Sequence, residues 1–236
     1  MRLDKYIAEA MQLPRKESRI QIQKGRVSVD GAICKKIDTQ VNDESCVEYE
    51  GQSLTRTDFV YLMMNKPKGV VSVSTCARDT TVIDLVKAEY PRRQLFPAGR
   101  LDKASTGFVL ITDDGAFAHE ILSPRHHVPK EYTVMLDTPL TDRMRDGFAG
   151  GVKLADGSVM SPAKVWSISE DNYTVKVILQ QGVYHQIKRM FGVFEVGVNE
   201  LHRDAIGGLF LDENLAQGEA RSLTAEELEK ITKVVF

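Results

Sequence analysis

The stretch Gly51-Gln52-Ser53-Leu54-Thr55-Arg56-Thr57-Asp58 most restricts what this chain can fold into. It is polar, rich in turn formers and without helical or strand periodicity, so it reads as a connection between two folded parts. A boundary there gives a leading module of residues 1–51, a linker of residues 52–58 and a body of residues 59–236. A module of about fifty residues is marginal on surface-to-volume grounds, whereas the body can bury a large core. No apolar run approaches the roughly 20 residues of a membrane span, and no membrane partner is expected. The start, Met1-Arg2-Leu3-Asp4-Lys5, is charged where a secretory signal turns apolar, which predicts a cytoplasmic protein.

In the leading module, Leu3, Ile7, Ala10 and Met11 recur at helical spacing, Pro14 closes that helix, and a second runs from about Arg15 to Lys24 before Gly25. Arg26 to Val29 then alternates like a strand, Asp30-Gly31 marks a hairpin, and short strands continue to Val47-Glu48-Tyr49. The net charge of -2 excludes a uniformly basic nucleic-acid binder, but it hides an asymmetry. Bases dominate up to Lys36, and acids (Asp38, Asp43, Glu44, Glu48, Glu50) follow. Binding to phosphates depends on local charge, so a basic face here is compatible with docking on a phosphate backbone. The segments RLDKYIAEA and KESRIQIQKGRVSVDG resemble the S4 RNA-binding domain. The resemblance implies that Arg15, Lys16, Arg19, Lys24 and Arg26 face RNA phosphates, and it makes Ser18 a departure, since alanine is frequent there.

The body opens with an apolar strand, Phe59 to Met64, then the tight turn Asn65-Lys66-Pro67-Lys68-Gly69 and a second strand, Val70 to Val73. A short helix is predicted within Thr80 to Tyr90. The segment PAGRLDKASTGFVLITDDG follows, placing Asp102 two residues after Arg100 and before an apolar strand, Phe108 to Ile111. Asp113 and Asp114 read as turn residues ahead of a helix, Ala116 to Leu122. Next come an irregular loop with His126 and His127, a strand from Lys130 to Leu136 and a helix from Asp142 to Phe148. Strands are predicted around Val152 to Leu154, Val165 to Ile168 and Tyr173 to Leu179, with a last one at Leu209 to Leu211. A terminal helix is capped by Thr224 with Glu227 three residues on. Strands with helices interposed indicate an α+β class.

Three cysteines without C-x-x-C spacing, and paired histidines with no second ligand cluster, give no metal site. There is also no nucleotide-binding glycine loop and no Ser/His/Asp order, so the chemistry must rest on a carboxylate. A carboxylate beside a cation stays ionised and can attack or stabilise a cationic sugar centre. In GVYHQIKRMFGVF, His185, Lys188 and Arg189 stand at i, i+3 and i+4, which on a helix gathers them near its start. Behind Lys130-Glu131, Tyr132 offers a ring on which an extruded base can stack.

LMMNKPKGVVS, PAGRLDKASTGFVLITDDG, KEYTV and GVYHQIKRMF, in this order behind an S4-like start, resemble the RsuA group of RNA pseudouridine synthases over nearly the whole chain. The resemblance implies a small N-terminal S4-like module and a larger, mixed, mainly antiparallel β-sheet domain with flanking helices. It further implies an isomerase that breaks the N1–C1′ bond of a uridine, turns the uracil and joins C5 to C1′. Asp102 matches the catalytic aspartate, Tyr132 the base-stacking tyrosine and Lys188 the aspartate's basic partner. Arg100, Lys66 and Arg189 would contact RNA, and Leu101 would pack under the site. Attack by Asp102 at C1′ or at C6 stays open.

SPRHHVPKEYTV and ELHRDAIGGLFLDENLAQGE look most like members acting on small-subunit (16S) ribosomal RNA, the type that modifies uridine 516. The substrate would be that RNA or a small-subunit assembly intermediate, the enzyme a monomer without metal or organic cofactor. Gln181, Val183 and Phe108 depart from the family pattern without touching the matched catalytic positions. The alternatives are the same reaction on large-subunit (23S) RNA, an S4 assembly factor that only binds RNA, and a glycosidase, which would need a second acid.

Overall fold

The computed structural model describes residues 1–11, 13–42, 44–54, 59–91, 93–123 and 128–232. Its chain divides into two units, one of Met1–Phe59 with Arg92–Gln94 and a second of Val60–Pro91 with Leu95–Phe236. The paired histidines, His126 and His127, lie outside the described residues.

The first unit begins with helices α1 (Leu3–Ala10) and α2 (Arg15–Gln23). Strands β1 (Val27–Val29), β2 (Ala32–Ile33), β3 (Val47–Tyr49) and β4 (Gln52–Ser53) then form an antiparallel sheet in the order β2-β1-β3-β4. Helical spacing puts Leu3 and Ile7 on one face of α1, where they pack with Ile22, Val27 and Val47 in a buried core. Pro14 is the N-cap of α2, where its missing N–H costs nothing. Asp30 and Gly31 both take positive φ, 50° and 79°, as a tight hairpin demands. Glu50 and Gly51 repeat that geometry at 51° and 79°, so Gln52 and Ser53 close a hairpin on Tyr49 and Glu48. The polar stretch thus starts as an edge strand, a pairing its composition does not announce.

The second unit contains β5 (Tyr61–Lys66), β6 (Phe96–Pro97), β7 (Thr106–Thr112), α3 (Gly115–Leu122), β8 (Lys130–Leu136), α4 (Asp142–Gly150) and β9 (Lys164–Ser167). It continues with β10 (Thr174–Leu179), α5 (Gln186–Gly192), β11 (Val198–Ile206), β12 (Leu209–Phe210), β13 (Ala220–Ser222) and α6 (Ala225–Thr232). The sheet runs β13-β5-β7-β11-β8-β10-β9, with β6 on β7 and β12 on β11. Every named pairing is antiparallel except β7 with β11. This is the mixed, mainly antiparallel sheet of an α+β protein.

The central strands are covered on both faces. Phe108 and Leu110 of β7 enter one core cluster with Met63, whereas Val109 and Ile111 enter another with Leu62 and Met64. Burial on both sides explains why these segments read as continuous apolar runs. A third cluster joins β8 and β10 to Met144 and Phe148 of α4 and to Ile187, Met190 and Phe191 of α5. The parallel contact of β7 with β11 depends on Gly107, which has φ +102°. A Cβ there would lie 2.4 Å from the Arg203 carbonyl oxygen, so any side chain would force the strands apart.

Several expectations are corrected. Val70–Val73 is no strand; only Val71 forms an isolated bridge, to Thr81. Thr80–Tyr90 makes successive turns instead of a helix, opened by the Thr81 N–H and hydroxyl donating to Asp84 at 2.9 and 3.0 Å. Val152–Leu154 contributes a single bridge, Lys153 to Val159. The first body strand lies at Tyr61–Lys66, two residues later than its apolar run, because Asn65 and Lys66 pair with Phe108 and Gly107. Leu209–Phe210 is not the last strand: Ala220–Ser222 follows, paired with Met64, Met63 and Leu62.

Candidate active site

Asp102 lies in the loop between β6 and β7, and three attachments hold that loop. The Ser72 hydroxyl donates to the Leu101 carbonyl at 3.0 Å and accepts from the Leu101 N–H at 3.2 Å. The Gly69 N–H donates to Lys103 O at 2.8 Å. The Lys66 ammonium reaches the carbonyls of Ser105 at 2.6 Å and Pro67 at 3.0 Å, and approaches that of Lys103 at 3.5 Å. Lys66 is 0% exposed, which corrects its expected place on an RNA-facing surface. The last residue of a buried strand points its side chain inward, and the loop carbonyls solvate the charge in place of water. Leu101 packs beneath Asp102 with Val70, Val82 and Val109.

Across a cavity of about 570 Å³, α5 presents its start to Asp102. His185 Nε2 stands 3.2 Å from one carboxylate oxygen and Lys188 Nζ 3.6 Å from the other. His185 is the N-cap of α5 at φ 50°, a left-handed conformation uncommon outside glycine. Spacing had gathered Arg189 with them; it turns away and pairs with Asp156. Tyr132 lines the same cavity from β8, its ring partly buried against two core clusters, and Arg100 stands exposed at the wall. The Asp102 side chain retains 31% exposure, so the carboxylate is supported from α5 and still open to the cavity.

Two further cations, both buried, line the cavity. Arg203 is 3% exposed; its Nε donates to Phe108 O at 2.6 Å, and its Nη2 is buried without a partner among the described residues. Lys130 is buried with its ammonium 2.6 Å from Val128 O. Burial pushes its pKa down to about 8, assisted by the Arg203 charge. Lys66 falls to about 8 for the same first reason, the Arg203 charge adding to it and the Asp102 carboxylate opposing. Sequence reasoning gave Arg203 and Lys130 no role because the charged runs they stand in, His202-Arg203-Asp204 and Lys130-Glu131, read as ordinary solvated polar residues and carry no local mark of a side chain turned inward. It noted His185 only as a neighbour of Lys188, although the i, i+3 spacing already put both on one side of α5.

The departing positions are absorbed locally. Gln181 accepts from the Ser161 N–H at 3.1 Å, and Gln186 Oε1 accepts from the Val183 N–H at 3.1 Å, which ties this loop to α5. Phe108 is fully buried.

In the first unit Arg15, Lys16, Arg19, Lys24 and Arg26 are all exposed, and two of them also hold structure. Arg15 and Arg19 donate to the Asp4 carboxylate at 3.2 and 2.9 Å, joined by Arg2 at 3.1 Å. Burial would raise the Asp4 pKa, but the three guanidinium groups hold it down at about 2. Ser18, buried, donates its hydroxyl to the Asp4 carbonyl at 2.8 Å, a link alanine would lack. Arg26 pairs with Glu50 and contacts Gln21.

Among the described residues, no group of three or more His, Cys, Asp or Glu is gathered as a metal site would require, and no helix is long and apolar enough to cross a membrane. The model of the RNA pseudouridylate synthase family matches residues 60–192, and that of the S4 domain residues 1–45. The ribosomal small subunit pseudouridine synthase A of Salmonella typhimurium is 41% identical over 98% of this chain and 100% of its own length. Its Escherichia coli counterpart is 39% identical over 98% and 100%. A solved structure described as a pseudouridylate synthase superposes with a TM-score of 0.70 at 37% identity, covering 98% of this chain and 99% of that one. The chain therefore belongs to the RNA pseudouridylate synthase family and carries an S4 domain at its N-terminal end.

Proposed function

We propose that this chain isomerises uridine to pseudouridine in small-subunit (16S) ribosomal RNA, with the site corresponding to uridine 516 as its target. The carrying observation is the Asp102 carboxylate, held from behind by the Lys66-clamped loop and faced by His185 and Lys188, in a cavity that Tyr132 shares. The target uridine leaves its stack and enters this cavity, where its uracil lies on the Tyr132 ring. Asp102 acts as nucleophile while the N1–C1′ bond breaks, and the bond it forms, to C1′ or to C6, breaks again as C5 joins C1′, which returns the free carboxylate. The freed uracil turns, C5 bonds to C1′, the C5 proton leaves and N1 takes one up, so that the product is an isomer of the substrate. Lys188 balances the Asp102 charge, Leu101 packs beneath it, and Arg100 holds RNA around the extruded nucleotide. The S4 unit supplies affinity, its exposed Arg15, Lys16, Arg19, Lys24 and Arg26 facing the phosphate backbone. Identity to two small-subunit enzymes over their full lengths supports the choice of RNA.

Tritium release from 16S RNA labelled at uridine C5 tests the reading. The native chain is expected to release tritium, and Asp102→Asn to lose at least about 10³-fold in rate while folding normally. Equal release by both would remove Asp102 from the chemistry. Release from 23S RNA alone would move the substrate to the large subunit, and RNA binding with no release from either would leave a binding factor.

A further inference from the structure

Tyr184 is 70% exposed at the wall of the cavity that holds Asp102, and it makes no hydrogen bond among the described residues. One face of its ring stacks on His185, with centroids 3.8 Å apart and planes at 19°. His185 in turn contacts Asp102 at 3.2 Å and holds its backbone in the left-handed region. A lone exposed aromatic is ordinary on a protein surface. This one continues a stack that begins at the reacting carboxylate, and its other face is open.

We propose that the open face of Tyr184 receives an unpaired RNA base adjacent to the target uridine, which makes Tyr184 a specificity-determining residue. The inference rests on the function proposed above and adds a second base contact to it. Tyr132 is half buried and serves the interior of the cavity, so the uridine lies there; the next nucleotide along the strand must then pass the wall where Tyr184 stands. Flat rings accept bases of any identity by stacking, and Arg100 and Lys188 on the same cavity supply positive charge for the connecting phosphate. The substrate is accordingly an RNA in which the target and one neighbour are both unpaired. His185 gains a second task, since it supports the platform on one side and meets Asp102 on the other.

The test uses the full chain and a 16S RNA fragment carrying the target uridine, with 2-aminopurine placed on one or the other side of it. Native protein is expected to quench the 2-aminopurine at one of the two positions, and Tyr184→Ala to abolish that quench. In tritium release, Tyr184→Ala is expected to raise KM about tenfold with a much smaller change in kcat, and Tyr184→Phe to restore KM. An abasic nucleotide at the quenched position should cost native protein about tenfold and add nothing to Tyr184→Ala. Unchanged KM in Tyr184→Ala, or fully additive losses with the abasic RNA, overturns the proposal. So does a loss confined to kcat, which would mean that Tyr184 acts only through His185 on Asp102. A native protein that quenches 2-aminopurine yet releases no tritium would overturn the isomerase reading and leave the stacking contact standing. Because Tyr184 is exposed, the variants should melt with the native protein, and a lowered melting temperature in Tyr184→Ala that Tyr184→Phe shares would count against a stacking role.

Discussion

Each unit of this chain gathers basic side chains around one aspartate, and the two clusters are built to opposite ends. Asp4 has a fully buried side chain and three guanidinium groups at 2.9 to 3.2 Å, so its lone pairs are taken up by the protein. Asp102 is 31% exposed, meets an imidazole at 3.2 Å and an ammonium at 3.6 Å, and faces a cavity. A carboxylate whose acceptor sites are filled by short charge-assisted bonds is a structural pin. One whose partners stand farther away, beside open space, keeps capacity for a substrate atom. Basic neighbours alone therefore do not identify a reactive acid; what separates the two is the fraction of its hydrogen-bonding capacity that the fold leaves unused.

The contrast breaks if the two aspartates respond alike to the same substitution. Asp102→Asn is expected to reduce the rate of tritium release by at least about 10³-fold while leaving the melting temperature within a few degrees of native. Next in size, Lys66→Met leaves three loop carbonyls without their donor and lets Asp102 move; a displacement of about 1 Å is enough to cost about 10²-fold in kcat, read in the same assay. Asp4→Asn should do the reverse of Asp102→Asn. It removes the charge that three half-exposed arginines share and destabilises the first unit by about 2 kcal/mol, measured by urea unfolding, while kcat on RNA at saturation stays close to native.

The smallest effects are those of pH. Asp4 has a native pKa of about 2 against an ordinary 3.8, so its contribution to stability is complete above 3.8 and is lost as pH falls through about 2. Acid unfolding followed by circular dichroism should show this loss in the native protein and not in Asp4→Asn. Lys66 has the same sense in a higher window. Its native pKa of about 8 lies below the ordinary 10.5, the unfolded chain binds the extra proton between these values, and the contribution to stability rises as pH climbs from 8 to 10.5. Lys66→Met should flatten that part of the urea midpoint against pH curve, although Lys130, lowered to about 8 as well, leaves a residual slope.

Much of the secondary structure was legible because local chemistry repeats. The spacing of Leu3 and Ile7, the cap at Thr224 with Glu227, the Asp30-Gly31 turn and the alternation of Thr174–Leu179 each specify their own element. What misled was local pattern without a partner. Val70–Val73 looks like a strand, yet only Val71 finds a bridge, and Gln52–Ser53 looks like a linker, yet it pairs because the Glu50–Gly51 turn brings it back on Tyr49. Pairing is a property of two segments, and a one-segment reading sees half of it.

For the site, the sequence by itself determined which residue types are present, where Asp102 stands on its loop and that His185 and Lys188 share the start of one helix. It could not decide which way Lys66 points, since a lysine at a strand end turns outward or inward according to what lies behind the strand. Only the tertiary structure placed the Ser105, Lys103 and Pro67 carbonyls there and made a surface cation into an internal clamp. Likewise, Asp4 and Asp102 each have arginine and lysine nearby along the chain. What fills one and leaves the other open is the approach of α2 to α1 in the first unit and of α5 to the β6–β7 loop in the second. Such long-range approaches are set by packing of buried side chains, and the residues that take part carry no local mark of it.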